Sequence, residues 1–106
     1  MSAGKKGEGP MELVIFARFH ARSGQEDTVA AAIGEVIAPT RAEAGCLGIN
    51  AYRSVRDPRL FYINSRWQDE AAFELHAAEA HTIRFIARVT RLIDHELDVA
   101  RTAVIG

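Results

Sequence analysis

The amino-acid sequence predicts an α+β fold in which a four-stranded antiparallel sheet carries helices on one face, in the order β-α-β-β-α-β. Hydrophobic residues alternate with a period of two in four segments, which is the pattern of strands. Two longer segments between them repeat at the 3.6-residue spacing of a helix. A turn motif joins the second and third alternating segments, as in a β-hairpin. With 106 residues, 48% of them hydrophobic and 25% charged, the chain has the size and composition of one globular domain.

The first strand is predicted over residues 11–22, where alternate side chains divide into two faces. One face carries Leu13, Ile15, Ala17, Phe19 and Ala21, and the other carries Val14, Phe16, Arg18, His20 and Arg22. Both faces are apolar along most of their length, so this strand is expected to lie in the middle of the sheet.

A helix is predicted to follow from Ser23, because Glu26 three positions later would complete a capping box. Its buried stripe is expected to consist of four residues at helical spacing, Val29, Ile33, Val36 and Thr40. Pro39 falls late in this segment and is expected to kink or end its last turn, since proline has no backbone N–H to donate.

The second and third strands are predicted over residues 46–55 and 60–67. Arg56-Asp57-Pro58-Arg59 between them is predicted to be a tight turn, because aspartate and proline favour a type I turn. Asp69 is expected to cap a second helical segment, residues 70 to about 92, which can break near residues 77–80. A last strand over residues 97–105 completes the order of the ferredoxin-like unit.

Residues 1–10 are expected to form a flexible tail before a single domain over residues 11–106. The tail has two lysines but no hydrophobic segment behind them, unlike a signal peptide. Cys46 is the only cysteine, which excludes an internal disulfide and a multi-cysteine zinc site. No apolar run approaches the ~20 residues that span a bilayer, so a cytoplasmic location is expected. The net charge of −1 favours neither nucleic acid nor an anionic membrane as a partner.

A second copy of the chain is expected as a partner, because helices on one face leave the other face of the sheet uncovered. Apolar residues are distributed over both faces of the predicted strands, among them Val14, Phe16, Tyr52, Tyr62, Leu97 and Val99. A monomer would expose more of this surface than is usual. We therefore expect a homodimer through the sheet face, with two-fold symmetry.

The segment AGCLGINAYRSVRDPRLFYINSRWQDEAAFELHAAEAH resembles the antibiotic biosynthesis monooxygenase (ABM) domain, the quinol-monooxygenase-like branch of the dimeric α+β barrel superfamily. The matching pieces, in their order and spacing, are Gly45-Cys46-Leu47, Tyr52-Arg53, Asp57-Pro58, Phe61, Trp67, Asp69, Ala72, His76, His81 and Phe85. The resemblance covers about residues 11–104. It implies a ferredoxin-like dimer whose sheets form a barrel, with a pocket between helices and sheet in each subunit. It also implies oxygenation of electron-rich aromatic rings with dioxygen as co-substrate and no cofactor.

Two positions depart from the pattern of the family. Many members have an acidic residue two positions before the tryptophan, where this chain has Ser65. Members also often have Ser-Pro before the second histidine, where this chain has Glu79-Ala80. The first change removes a carboxylate that could orient the substrate or a histidine. The second removes a proline, so the helix could continue and change the direction in which the His81 side chain points.

The candidate catalytic residues are His76 and His81, either of which could take a proton from a substrate hydroxyl near neutral pH. The expected walls of the substrate slot are Trp67, Phe73, Phe85, Phe61 and Ser65. Each also has a structural interpretation: Trp67 as a core anchor, and the histidines as hydrogen-bonded core residues. No metal is expected, since two histidines five apart on a continuous helix point roughly 140° from each other. His20 is expected to be solvated or to lie at an interface.

Three other functions remain open. Related members of the superfamily degrade haem with an asparagine on the first strand, but the strand ELVIFARFHAR has none. Others isomerise small sugars or lactones without oxygen, again with pocket histidines. The protein could also be a non-catalytic dimeric module that binds a small aromatic, for which Ser65 is the best indication.

Overall fold

The computed structural model describes residues 11–106, so the tail expected at residues 1–10 lies outside the described residues. The elements are β1 (Leu13–His20), α1 (Glu26–Arg41), β2 (Cys46–Arg53), β3 (Leu60–Trp67), α2 (Glu70–Ala78), α3 (Ala80–Thr90) and β4 (Asp98–Thr102). The predicted order is confirmed, with the second helical segment divided into two helices.

The four strands form one antiparallel sheet in the order β2-β3-β1-β4, which is the ferredoxin-like arrangement. β1 pairs with both β3 and β4, so the prediction of a central first strand is confirmed. β2 and β3 form the predicted hairpin. Its turn lies one residue later than predicted, over residues 57–60, because the Leu60 N–H donates to the Asp57 carbonyl at 3.0 Å and Pro58 takes the second turn position.

The start of α1 differs from the prediction. The helix begins at Glu26 after Gln25, and its first turn has no side-chain cap, so the capping box from Ser23 is wrong. Ser23 and Gly24 instead form a turn that the Gln25 N–H closes by donating to the Arg22 carbonyl at 2.9 Å. Gly24 has φ +85°, a left-handed conformation that a helix cannot contain.

The ends of several elements also differ from their predicted positions. Pro39 stays inside α1, which ends two residues later at Arg41. Three strands are shorter than their predicted ranges, which were residues 11–22, 46–55 and 97–105. Each stops where the register with its neighbour runs out, because side-chain alternation continues beyond the backbone pairing that defines a strand.

The hydrophobic core lies between the sheet and the helices. The predicted stripe of α1 is confirmed, because Val29, Ile33, Val36 and Thr40 are all buried. The three apolar residues of this stripe pack with the inward side chains of β1 and β3 and with α3 in one cluster, which includes Ala17, Phe19, Phe61, Ile63, Phe85 and Val89. A smaller cluster joins Ile15, Trp67 and Ala72 at the end of β3.

Within residues 11–106, no helix lies over the other face of the sheet. Phe16, Tyr52 and Tyr62 are exposed there. Leu97 and Val99 lie on the helix side instead, since Val99 pairs with the inward-facing Ala17. The homodimer therefore stays a prediction that the open aromatic face supports. None of the helices within residues 11–106 is long and apolar enough to cross a membrane.

Candidate functional site

The break between α2 and α3 determines where the two candidate histidines point. Asp69 caps α2 as predicted, accepting from the Ala72 N–H at 2.8 Å. Glu79 ends α2 and begins α3 in an extended conformation, with φ −69° and ψ 143°. The two rings therefore approach to 6.2 Å between centroids instead of diverging around one continuous helix.

A single carboxylate oxygen joins the two histidines. Glu43 Oε2 lies 2.7 Å from His76 Nδ1 and 2.7 Å from His81 Nε2. The three side chains are between 12% and 19% exposed, so the contact is largely shielded from water. Thr82 Oγ1 lies 3.2 Å from the same His76 nitrogen. The turn between α1 and β2 fixes Glu43, since Cys46 N–H donates to its carbonyl at 3.0 Å.

The contact with Glu43 also selects the histidine tautomers. An ionised carboxylate only accepts hydrogen bonds, so each neutral imidazole must present an N–H to it. His76 therefore carries its proton on Nδ1 and keeps Nε2 as the basic nitrogen, whereas His81 carries its proton on Nε2.

Aromatic side chains hold the His76 ring in place. The Trp67 ring lies 4.7 Å from it and the Phe73 ring 5.6 Å from it, both tilted by less than 40°. The Trp67 indole N–H donates to Ser65 Oγ at 2.9 Å. Ser65 thus orients the tryptophan behind His76.

A cavity of about 180 Å³ lies between the sheet and the helices, next to this cluster. It is lined by Ala17, Phe19, Val36, Thr40, Ile49, Ile63, Ser65, Phe73, His76, Ala77, Thr82, Phe85, Ile86, Leu97 and Val99. Most of these side chains are apolar, and Thr40, Ser65, His76 and Thr82 are the polar ones. The structure thus brings together four of the predicted site residues: His76, Phe73, Phe85 and Ser65.

Phe61 and Trp67 do not belong to the lining of this cavity as the structure describes it. β3 contributes Ile63 and Ser65 to the wall, so the cavity covers the middle of the strand, and Phe61 and Trp67 flank it on either side. Trp67 is fully buried, as its structural interpretation predicts. Phe61 lies in the main core under the Arg53 guanidinium, which is 4.9 Å from the ring centroid.

His81 faces a different space, a groove of about 440 Å³ between α1 and α3. Glu35, Arg84 and Arg88 line it too, and Arg88 pairs with Glu35 across it at 2.6 Å. The groove is larger than the cavity, but its charged walls suit an aromatic ring less well. The smaller apolar cavity beside His76 is therefore the better candidate for the substrate.

Glu43 is the residue of this candidate site that sequence reasoning missed. Cys46 at the start of β2 pairs with Trp67 at the end of β3, so the residues before β2 must lie beside those after β3. That register could have placed Glu43 near α2. With both histidines it forms a set of ligand atoms within 4.8 Å of one another, which could hold a metal ion. The expectation of no metal assumed a continuous helix, and that premise is wrong.

A second histidine cluster is structural. His20 Nδ1 lies 2.7 Å from Asp94 Oδ1, and His20 Nε2 lies 3.1 Å from Asp57 Oδ2. The hydrogen bond with Asp94 raises the pKa of His20, and bonds from His20 and then His95 lower the pKa of Asp94 to about 2. Arg59 adds an ion pair to Asp94 at 2.7 Å. His20 therefore ties together the end of β1, the hairpin turn and the segment after α3.

The sequence matches a known family over most of the domain. The model of the family described as Antibiotic biosynthesis monooxygenase matches residues 13–88. The chain is 35% identical over 63 residues to "Putative monooxygenase YcnE" of Bacillus subtilis (strain 168). This alignment spans 59% of this chain and 66% of YcnE. It is 28% identical over 87 residues to "Putative monooxygenase Rv0793" of Mycobacterium tuberculosis. This alignment spans 82% of this chain and 85% of Rv0793.

Solved structures share the fold at low sequence identity. PA3566 from Pseudomonas aeruginosa superposes with a TM-score of 0.86 at 28% identity, over 94% of this chain and 100% of that one. Rv0793 from Mycobacterium tuberculosis superposes with a TM-score of 0.85 at 25% identity, over 90% of this chain and 96% of that one. The ferredoxin-like architecture is therefore common to this chain and both structures.

Proposed function

Because this chain belongs to the antibiotic biosynthesis monooxygenase family, we propose that it is a cofactor-independent monooxygenase acting on a small, electron-rich aromatic of the quinol or anthrone type. The observation that carries the proposal is a histidine, oriented by a carboxylate, on the wall of an apolar cavity. His76 lines that cavity and keeps a basic nitrogen while its other nitrogen bonds Glu43.

The proposed reaction begins with removal of a proton. Dioxygen does not react readily with closed-shell organic molecules, but a deprotonated quinol is electron-rich enough to reduce it. For a naphthalene-1,4-diol, C10H8O2 + O2 gives the hydroxynaphthoquinone C10H6O3 and H2O. The aromatic loses four electrons, one oxygen atom forms a new C–O bond, and the O–O bond breaks to release the other atom as water.

Each residue of the cluster has a role in this proposal. His76 takes the hydroxyl proton and later returns it to the departing oxygen atom as general base and then general acid. Glu43 fixes the His76 tautomer and stabilises the imidazolium, as the carboxylate does in a Ser-His-Asp triad. His81 donates to the same oxygen and keeps Glu43 in position. Phe73 and Phe85 contact the ring of the substrate, and Trp67 supports His76 from behind.

Dioxygen uptake with His76→Asn tests the assignment. We expect a loss of about 100-fold or more in turnover, which is typical of losing a general base. His95→Asn is the matched control, because His95 is exposed and lies outside the cavity. Undiminished uptake by a folded His76→Asn protein would exclude His76 as the base.

We also propose that the working form is a homodimer joined through the open sheet face. The support is the group of exposed aromatic residues Phe16, Tyr52 and Tyr62 on neighbouring strands, which water would otherwise have to solvate.

A further inference from the structure

A second set of converging ligand atoms lies where the segment after α3 meets the end of β1. His20 Nδ1 and His95 Nδ1 each lie 2.7 Å from the same atom, Asp94 Oδ1. The three atoms are within 4.8 Å of one another. As described for residues 11–106, none of the three residues lines the cavity or the groove between α1 and α3. The proposed oxygenation therefore makes no use of this set.

Backbone pairing holds two of the three ligand residues at a fixed separation. The Asp94 N–H donates to the His20 carbonyl at 3.0 Å. The neighbouring residues Ala21 and Ile93 form an antiparallel bridge, and both are buried. His20 and Asp94 thus stand on backbone that is already ordered, which lowers the entropy cost of gathering them around an ion.

The outer partners of these residues are those expected around a metal ion. The second ring nitrogen of His20, Nε2, lies 3.1 Å from Asp57 Oδ2. A histidine that binds a metal almost always donates its other ring N–H to a carboxylate, a backbone carbonyl or water, which fixes its tautomer and orientation. Arg59 Nη2 lies 2.7 Å from Asp94 Oδ2, so Oδ1 remains the atom directed at both histidines. Both contacts are independent of the distances between the three ligand atoms.

Charge and accessibility also favour a divalent cation. The carboxylates of Asp57 and Asp94 outnumber the guanidinium of Arg59, which leaves the surroundings net negative when both histidines are neutral. The side chains of His20, Asp94 and His95 are 20%, 28% and 68% exposed, so an ion can enter from the solvent. Imidazole nitrogen and carboxylate oxygen are both ligands of Zn²⁺, with bonds of about 2.0–2.2 Å.

We propose that His20 Nδ1, Asp94 Oδ1 and His95 Nδ1 bind one zinc ion, with water as the fourth ligand, and that the ion fastens the segment after α3 to β1. Without the ion, each Nδ1 presents an N–H to Oδ1, because a carboxylate only accepts. Zinc takes the place of these two protons. His20 keeps its Nε2 proton for Asp57, and His95 carries its proton on Nε2. The proposal does not rest on the proposed function.

The test is calorimetric titration of the chelator-treated protein with zinc chloride. We expect the wild-type protein to bind one zinc ion per chain. Asp57→Asn should bind zinc about 10-fold more weakly, and His20→Asn and His95→Asn should lose at least that much, since they remove ligands themselves. His81→Asn is the matched control from the other histidine cluster, and it should bind zinc as the wild-type protein does.

Melting temperatures provide a second readout. Zinc should raise the melting temperature of the wild-type protein, because an ion that binds only the folded state stabilises it, and should not raise that of His95→Asn. His95 is mostly exposed, so this variant decides the question even if His20→Asn does not fold.

Three results would overturn the zinc site. They are no binding by the wild-type protein, unchanged binding in His95→Asn, and binding that is lost in His81→Asn, which would place the ion beside Glu43 instead. Both measurements are made without substrate, so a failure of the zinc site leaves the monooxygenase untouched. Zinc binding without any dioxygen uptake would support the zinc site and contradict the monooxygenase alone.

Discussion

Glu43 and His76 lie 33 positions apart in the chain and meet with 2.7 Å between Glu43 Oε2 and His76 Nδ1. One comes from the turn before β2 and the other from the last turn of α2, so the pairing of β2 with β3 is what brings them together. The contact supplies a carboxylate to the histidines from outside β3, where Ser65 has none to offer.

Glu43→Gln should lower the turnover number by about 100-fold or more, because a neutral amide orients the imidazole but stabilises its protonated form poorly. KM should change little, since Glu43 is not part of the cavity wall. Steady-state dioxygen uptake measures both quantities. Glu35→Gln, in the outer groove, is the control and should stay near wild type. Turnover within about threefold of wild type would show that Glu43 has no catalytic role.

Gly45→Ala should destabilise the protein by about 1–3 kcal/mol, as overpacking of a close contact does. A methyl group at this position would overlap the side chain of Ala72, whose buried position holds α2 against the start of β2. Gly48→Ala is the matched control, because its methyl group would lie 3.5 Å from Arg66 Nη1, an ordinary contact. Urea unfolding of both variants measures the difference, and equal stabilities would contradict the packing described here.

The His20–Asp94 pair should stabilise the fold most strongly between about pH 4 and pH 6.5. The pKa of His20 is raised from 6.5, so its contribution is complete below that pH and is lost as the pH rises through the raised value. The pKa of Asp94 is lowered from 3.8 to about 2, so its contribution is lost as the pH falls below about 4. The difference in unfolding free energy between wild type and His20→Asn should be largest inside this window. A difference that does not vary with pH would contradict the ion pair.

Phe16→Glu should convert the expected homodimer into a monomer, since it would bury a carboxylate in the centre of the open sheet face. Val55→Glu is the control, because Val55 is fully exposed in the loop between β2 and β3. Light scattering after size-exclusion chromatography gives the mass of each species. A monomeric wild-type protein would refute the dimer, and a dimeric Phe16→Glu variant would place its interface elsewhere.

Sequence patterns predicted the sheet better than the site. The bounds of β3 agree with the prediction, because the alternation of its side chains starts directly after the turn signal and stops just before the helix cap at Asp69. The start of α1 was missed, since the Ser23-Gly24 turn competes locally with a helix cap. Glu43 lies in a turn, where hydrophobic residues follow no periodic pattern. Only the register of β2 with β3 could have located it.

The most direct test of the central claim is dioxygen uptake by the wild-type protein after exhaustive treatment with a chelator, with naphthalene-1,4-diol as substrate and autoxidation subtracted. The proposed mechanism predicts uptake that saturates with substrate, consumes one dioxygen per hydroxynaphthoquinone formed and does not change when iron, manganese or zinc is added back. Uptake that disappears with the chelator and returns with one of these metals would contradict it. The converging atoms of Glu43, His76 and His81 would then be ligands of a metal ion instead of a proton-transfer cluster.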